Sequence, residues 1–393
     1  MVVGLAGGWV ASRLGLPSLT GYLVFGLLLG PHVGGALSGS LIAQVKDPLS
    51  IVAVSVIAFM LGGDLPLKLI RRSGVRMAAF ATVDSVWTFM LVWLGLAYFA
   101  RLPLTISLPL AALASSPAPT VLVPIVKEIN SKGAFTSMLL MISAMEDITC
   151  VILISFAVAV SRPLLDGSVV TSSAMFAAVA EIGGSLMLGA VLGLVGTWLI
   201  RVAKAPRQQV LVVLTLILVA AGLTTKLHLS ALVTLLTAGF VVTNMMESPA
   251  ALFAEVESFS SPLMLCFFTV AGATLKPSLL LVAGFAAVVY VLVRAFAKFS
   301  GVRIASNLVG ISRHKPIDVA QCLLSQAGTT LGLTMLVAQQ LPEVSDYILT
   351  VMLSAILVFE VIGPPLARAT LFRVGDALPN SVSVSHSEDG DVL

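Results

Sequence analysis

Charge is what this chain has least of. Only 10% of its residues are Asp, Glu, Lys or Arg, against about 25% in soluble domains. That deficit excludes a soluble enzyme or binding module. With 58% hydrophobic residues and a mean hydropathy of +1.06, what remains is an all-α polytopic membrane protein that contacts the lipid bilayer along its length. The excess of cations is small too, a net +3, so no nucleic-acid partner is expected. Cysteine is almost absent. Cys150, Cys266 and Cys322 fall in separate apolar segments without metal-ligand spacing, and read as small buried hydrophobes. A basic n-region is missing, since Met1 opens directly on an apolar stretch, and no cleavable signal peptide is expected. The four histidines, His32, His228, His314 and His386, sit in loops or the tail and read as solvated residues.

Long apolar runs are plentiful. They cover about 1–13, 18–31, 48–70, 75–99, 104–127, 134–160, 172–202, 208–226, 229–245, 258–276, 278–303, 316–340 and 344–371, about 13 transmembrane helices. The first is too short to span without tilting or thinning the bilayer. After Arg373 the chain becomes a polar tail, read as disordered. One set of alternating loops carries 15 Lys and Arg residues and the opposite set carries 5. That bias predicts a multi-pass protein of the cell inner membrane with its N-terminus outside and its C-terminus in the cytoplasm.

Within the run Ala134–Val160 two acids, Glu146 and Asp147, lie side by side near mid-bilayer. Each ionised side chain there costs at least ~2.5–3.5 kcal/mol. Two readings are open: an inward-facing polar pair that ties helices together, or an ion and proton site. Another apolar run contains RAFAKFSG, with Arg294 and Lys298 four apart on one helix face. These cations read either as snorkelling to the interface or as counter-charges for Glu146 or Asp147. Asp84, in an earlier span, reads as hydrogen-bonded between helices or as part of a proton path.

Two spans look broken. In ALASSPAPTVLVP, Pro117 and Pro119 cannot donate to the carbonyls of Leu113 and Ser115, and the hydroxyls of Ser115, Ser116 and Thr120 surround the gap. In Ser325 to Gly332, Gly328, Thr329 and Thr330 interrupt the second. Each alone could be a kink. About 30 residues after the first break come Glu146 and Asp147, and about 30 after the second comes Glu360, in a helix of opposite direction. A broken-helix unit repeated in inverted orientation is a transporter signature. It predicts that Ser115–Thr120 and Gln326–Thr330 cross near mid-bilayer, within reach of Glu146 and Asp147.

LGLPSLTGYLVFGLLLGP, SSPAPTVLVPIVKE, the Glu146–Asp147 pair, RAFAKFSG, SQAGTTLGL and FEVIGPPLAR follow one another along nearly the whole chain. In that order they resemble the bacterial monovalent cation/proton antiporter superfamily, in the second branch that includes sodium/proton and potassium/proton exchangers. RAFAKFSG departs from its R-x-x-G-K-x-x-G pattern at Ala297. The resemblance implies an elevator-type homodimer with no cofactor. By that analogy residues 1–73 and 205–277 form a dimerisation scaffold and 74–163 and 278–373 a transport core. Residues 164–204 form a linker helix and 374–393 a cytoplasmic tail. The family's ion- and proton-binding acid falls on Asp147, which would hold Na⁺. Its neighbour, Asp in electrogenic members and Asn in electroneutral ones, is Glu146 here, and the lysine that pairs with it matches Lys298.

The function this implies is exchange of protons for Na⁺, with K⁺ or Li⁺ as alternatives, by a secondary transporter that is not an enzyme. Two other classes stay open. A sodium-coupled organic-solute symporter would need no dedicated mid-membrane lysine. An intramembrane aspartyl protease would use Asp64 and Asp147, but Leu61-Gly62-Gly63-Asp64 lacks the first glycine of G-x-G-D.

Overall fold

Apolar runs of this length satisfy their backbone in lipid only as helices or closed barrels, and the described elements are all helical. The computed structural model describes residues 2–13, 18–36, 38–63, 67–165, 172–203, 205–227, 229–274, 277–310, 315–326 and 328–376. In chain order the helices are α1 (Val2–Arg13), α2 (Ser18–Leu29), α3 (Gly39–Gly63), α4 (Leu67–Tyr98), α5 (Leu104–Ala114), α6 (Pro119–Glu128) and α7 (Ala134–Leu165). After these come α8 (Ser172–Val202), α9 (Pro206–Leu227), α10 (Ala231–Met245), α11 (Pro249–Thr274), α12 (Pro277–Val309), α13 (Pro316–Leu323), α14 (Gly328–Gln340) and α15 (Ser345–Val374). Among the described residues, seven helices are long and apolar enough to cross a membrane. Asp64, His228, His314 and His386 lie outside the described residues.

Most expected runs become helices within a few residues of their ends. Two differ more. The third helix runs over 39–63 rather than 48–70, and the one expected at 258–276 begins at Pro249. Both gain turns rich in polar residues, which hydropathy alone reads as loop. Pro48 sits inside α3, and α4 is broken at the non-helical Gly74.

Each broken span is a pair of half-helices. The first gap, 115–118, follows from its prolines: Pro117 has no N–H to continue α5, and Pro119 opens α6 at a position where no N–H is needed. The second gap separates Leu323 from Gly328. The units α4 to α7 and α12 to α15 pack on each other chiefly through α4 against α12, while α1 to α3 pack with α8 to α11. In this second group, helices approach at backbone distance: a Cβ at Gly62 would lie 2.0 Å from the Leu236 carbonyl oxygen, and one at Gly239 2.1 Å from that of Phe59. Small residues at such crossings let helices associate without a hydrophobic driving force.

The last described residues close the first ones of α7. Gly375 has φ +85°, a left-handed conformation suited to glycine, and it ends α15 and turns the chain back. The Asp376 carboxylate then accepts hydrogen bonds from the Thr136 N–H (2.8 Å) and Thr136 hydroxyl (2.9 Å), and its carbonyl accepts from the Lys132 N–H. Asp376 thus caps the N-terminus of α7 from a distant part of the chain. Gly133 leaves it room, because a Cβ there would come within 2.0 Å of that carboxylate. Ion pairs of Arg368 with Glu128 (2.7 Å) and Arg373 with Asp318 (2.9 Å) join α15 to α6 and α13 at the same end. Asp376→Ala is expected to cost about 1 kcal/mol and Asp376→Asn far less, since Asn caps as well as Asp. Thermal unfolding of the detergent-solubilised protein measures the difference.

Candidate ion site

α12 passes unbroken beside both gaps and carries two cations into the interior. Arg294 and Lys298 are each 0% exposed. The Arg294 Nε donates to the Ala114 carbonyl (2.9 Å), Nη1 to that of Leu324 (2.7 Å) and Nη2 to that of Ser116 (3.2 Å). Its guanidinium also lies 4.4 Å from the centre of the Phe359 ring of α15. The carbonyls belong to the ends of α5 and α13 and to the gap after α5, where orphan acceptors and the negative ends of the helix dipoles meet. A planar fork of five donors fits three carbonyls at once, which an ammonium cannot do.

Gln326 completes the junction. Its side-chain N–H donates to the Leu113 carbonyl (3.0 Å), one of the two acceptors freed by the prolines, and its amide also pairs with the Tyr290 hydroxyl. Across the gap the Thr330 hydroxyl donates to that of Ser116 (3.1 Å), which itself donates to the Pro117 carbonyl. The two breaks therefore touch, as the repeated unit predicts.

One turn along α12, Lys298 Nζ lies 2.7 Å from Asp84 Oδ2 and 2.9 Å from Glu146 Oε2. All three side chains are completely buried. Removing one partner of such an ion pair typically costs about 3–5 kcal/mol, because a charge is left alone in low dielectric. Asp147 is 3% exposed on α7, and Cys150, three residues on and so on the same face, donates its thiol to the Ala112 carbonyl (3.5 Å) at the end of α5. The acid-bearing face of α7 is thereby turned to the crossing.

The other expected site residues distribute around this centre. Ser115 returns its hydroxyl to the Ala112 carbonyl (2.7 Å), Pro117 is buried and Pro119 half-buried. The backbone of Thr120 is in α6, and its side chain lies outside the described residues. Gly328 and Thr329 are half-buried at the start of α14, and Glu360 is buried on α15 next to Phe359. The direct hydrogen bonds of Arg294 run to backbone carbonyls, because helix ends in a dry crossing attract a cation as a carboxylate does. The snorkelling alternative is excluded for both cations by their full burial. Sequence reasoning also left Asp84 without a named partner. The available signal was an acid in a span on its own, with one lysine elsewhere to answer it.

A sequence profile described as "Sodium/hydrogen exchanger, transmembrane" matches residues 1–371. No curated protein matches the chain significantly in sequence. In structure the chain is similar to the sodium proton antiporter MjNhaP1 from Methanocaldococcus jannaschii at pH 8, with a TM-score of 0.74 and 15% identity over 95% of this chain and 96% of that one. A second MjNhaP1 structure, from electron microscopy, gives a TM-score of 0.73 and 14% identity over 95% of each chain. At such identities the likeness shows the fold.

Removing the Arg294 donors leaves three buried carbonyls short of a partner, each costing about 1–3 kcal/mol. Arg294→Met is therefore expected to lower stability by about 3 kcal/mol or more, and Arg294→Lys by less. Denaturation of the purified protein, followed by tryptophan fluorescence, compares them.

Proposed function

Because the chain belongs to the transmembrane sodium/hydrogen exchanger family, and so exchanges cations for protons, we propose that it carries Na⁺ against H⁺ at Asp147. The observation that carries this reading is the burial of Asp147 beside the crossing of two broken helices, next to a carboxylate bound by Lys298. A carboxylate held away from water can be neutralised by a proton or by a cation, but by only one of them at a time. Competition for that one group couples the two fluxes. The hydroxyls of Ser115, Ser116, Thr329 and Thr330, with gap carbonyls not taken by Arg294 or Gln326, are the proposed oxygen ligands, which suit a hard cation. K⁺ and Li⁺ are the alternatives for the same shell.

Movement follows from the division of the helices. The unit formed by α4 to α7 and α12 to α15 carries the site and shifts against α1 to α3 and α9 to α11, with α8 as the link, so that Asp147 opens to one side and then the other. The second group is also the proposed contact of a homodimer in the inner membrane, with the C-terminus cytoplasmic as the loop charges favour. Glu146 lies beside Asp147, so a cation bound at Asp147 weakens the hold of Lys298 on Glu146 and releases a second proton from that pair. Exchange of two protons for one cation moves one net charge, worth about 2.3 kcal/mol per 100 mV.

In proteoliposomes loaded with a pH dye, a Na⁺ gradient is expected to drive proton movement without any organic solute. Asp147→Asn should abolish it while the protein remains folded. Robust Na⁺-dependent proton flux from well-folded Asp147→Asn vesicles would remove this residue from the site.

A further inference from the structure

The two groups of helices are joined differently within and between. Within the group of α1 to α3 and α8 to α11, glycines set backbone against backbone. Besides Gly62 and Gly239, a Cβ at Gly26 would lie 2.1 Å from the Thr269 carbonyl oxygen, and one at Gly272 2.1 Å from that of Leu23. Helices seated that closely cannot slide along each other without first parting, because each carbonyl fills the space of a missing side chain. Between the groups, α7 and α8 follow each other in the chain. Apart from them, the principal packing among the described residues is α3 against α14.

There the contact is of another kind. A Cβ at Gly332 of α14 would lie 2.7 Å from Ile57 Cγ2, 3.5 Å from its Cδ1 and 3.8 Å from its Cβ. All three nearest atoms belong to one side chain of α3, and none is a carbonyl. Ile57 is half-buried and Gly332 is buried. A β-branched side chain is stiff at χ1, so Ile57 Cγ2 cannot swing aside for a side chain at that position. α14 is also the half-helix that leaves the second gap, and its Thr330 hydroxyl is bonded to Ser116. The scaffold therefore touches the transport unit on an element of the crossing itself. One turn from Gly332 on the same face stand Leu336 on one side and Gly328, again without a Cβ, on the other.

We propose that Ile57 on Gly332 is the bearing on which the transport unit moves against the scaffold, and that the move carries α14 one turn along it, until Ile57 lies on Gly328. The proposal rests on the relative movement of the two groups put forward above, and it gives that movement a contact, a length and a direction. Four residues of helix are about 6 Å. A slip of one whole turn presents a like surface to the partner again, which is why packed elements ratchet by turns. A slip the opposite way would drive Leu336 into the space of a glycine. Bringing Gly328 to Ile57 moves α14 towards its own C-terminal end, away from the end of the molecule where Arg373 and Asp376 lie. With the C-terminus cytoplasmic, that shift is outward.

The geometry permits a reversible lock. Cβ atoms joined through a disulfide lie about 3.8 Å apart, which is the distance from Ile57 Cβ to the Cβ position of residue 332. Full-length protein with Ile57→Cys and Gly332→Cys is expected to cross-link when oxidised in proteoliposomes. It should then lose Na⁺-driven proton movement, still bind radioactive Na⁺ in detergent, and regain the flux with dithiothreitol. A second pair, Ile57→Cys with Gly328→Cys, should cross-link faster under a Na⁺ gradient than at rest, with yields read by mass. Gly332→Ala alone is expected to slow exchange, and Ile57→Ala added to it to restore the rate, since the nearest atom left is then Ile57 Cβ at 3.8 Å. Undiminished flux through the fully cross-linked first pair overturns the movement of the groups itself, and this inference with it. Loss of flux in the first pair, with no gradient-dependent cross-link in the second, leaves the movement standing and overturns the one-turn step. If either cysteine pair stops exchange before oxidation, the alanine pair decides. A Gly332→Ala defect that Ile57→Ala does not relieve overturns the bearing.

Discussion

A charge inside a membrane protein has to be answered by another charge or by an array of dipoles, and this constraint organises the whole core. Arg294 answers dipoles: it occupies the meeting point of the carbonyl ends of α5 and α13. Lys298 answers charges, with Asp84 on one side and Glu146 on the other. Both cations stand on one continuous helix, four residues apart. The rigid rod of α12 therefore sets the distance between the broken-helix crossing and the acid cluster. Without Arg294 the carbonyl ends of the half-helices would be left unpaired in the interior, and without Lys298 α7 could not carry its acids there.

The breaks and the charges explain each other. Prolines at 117 and 119 free backbone acceptors that lipid cannot satisfy, so the gap has to lie inside protein. Gln326 fills one of them, the Leu113 carbonyl, and Arg294 takes the neighbouring Ala114 carbonyl, both from the other half of the chain. The hydroxyls of Ser116 and Thr330 then tie one gap to the other. A polar crossing of this kind is fixed by its own hydrogen bonds, and it gathers oxygen atoms in an interior that is otherwise mostly hydrocarbon.

The sequence carried the class of the fold and the position of the breaks, because apolar length and proline chemistry are local properties. It carried the Glu146–Asp147 pair for a similar reason: two acids in a long apolar run need no partner to be noticed. The third element's true start was hidden by polar residues in its first turns, which look like loop until a helix is seen to continue through them. Partner choice was less legible. Arg294 and Lys298 share a face and a charge, yet one binds carbonyls and the other carboxylates, a division set by which helix ends arrive opposite each of them. Asp84 stands 214 residues from Lys298, and nothing in its own neighbourhood announces the pairing.

The cap on α7 carries a consequence for how the molecule is made. The helix bearing Glu146 and Asp147 is synthesised before the middle of the chain, but the carboxylate that closes its first turn is Asp376, in the last residues described. A nascent chain has no such cap until α8 to α15 have been made. The first half of the core must then wait in the membrane with its leading turn open, and it is finished from the far end of the polypeptide. Translation order and assembly order run in opposite directions here, so a chain cut short anywhere before residue 376 loses more than its tail: it leaves the earliest acidic helix incomplete.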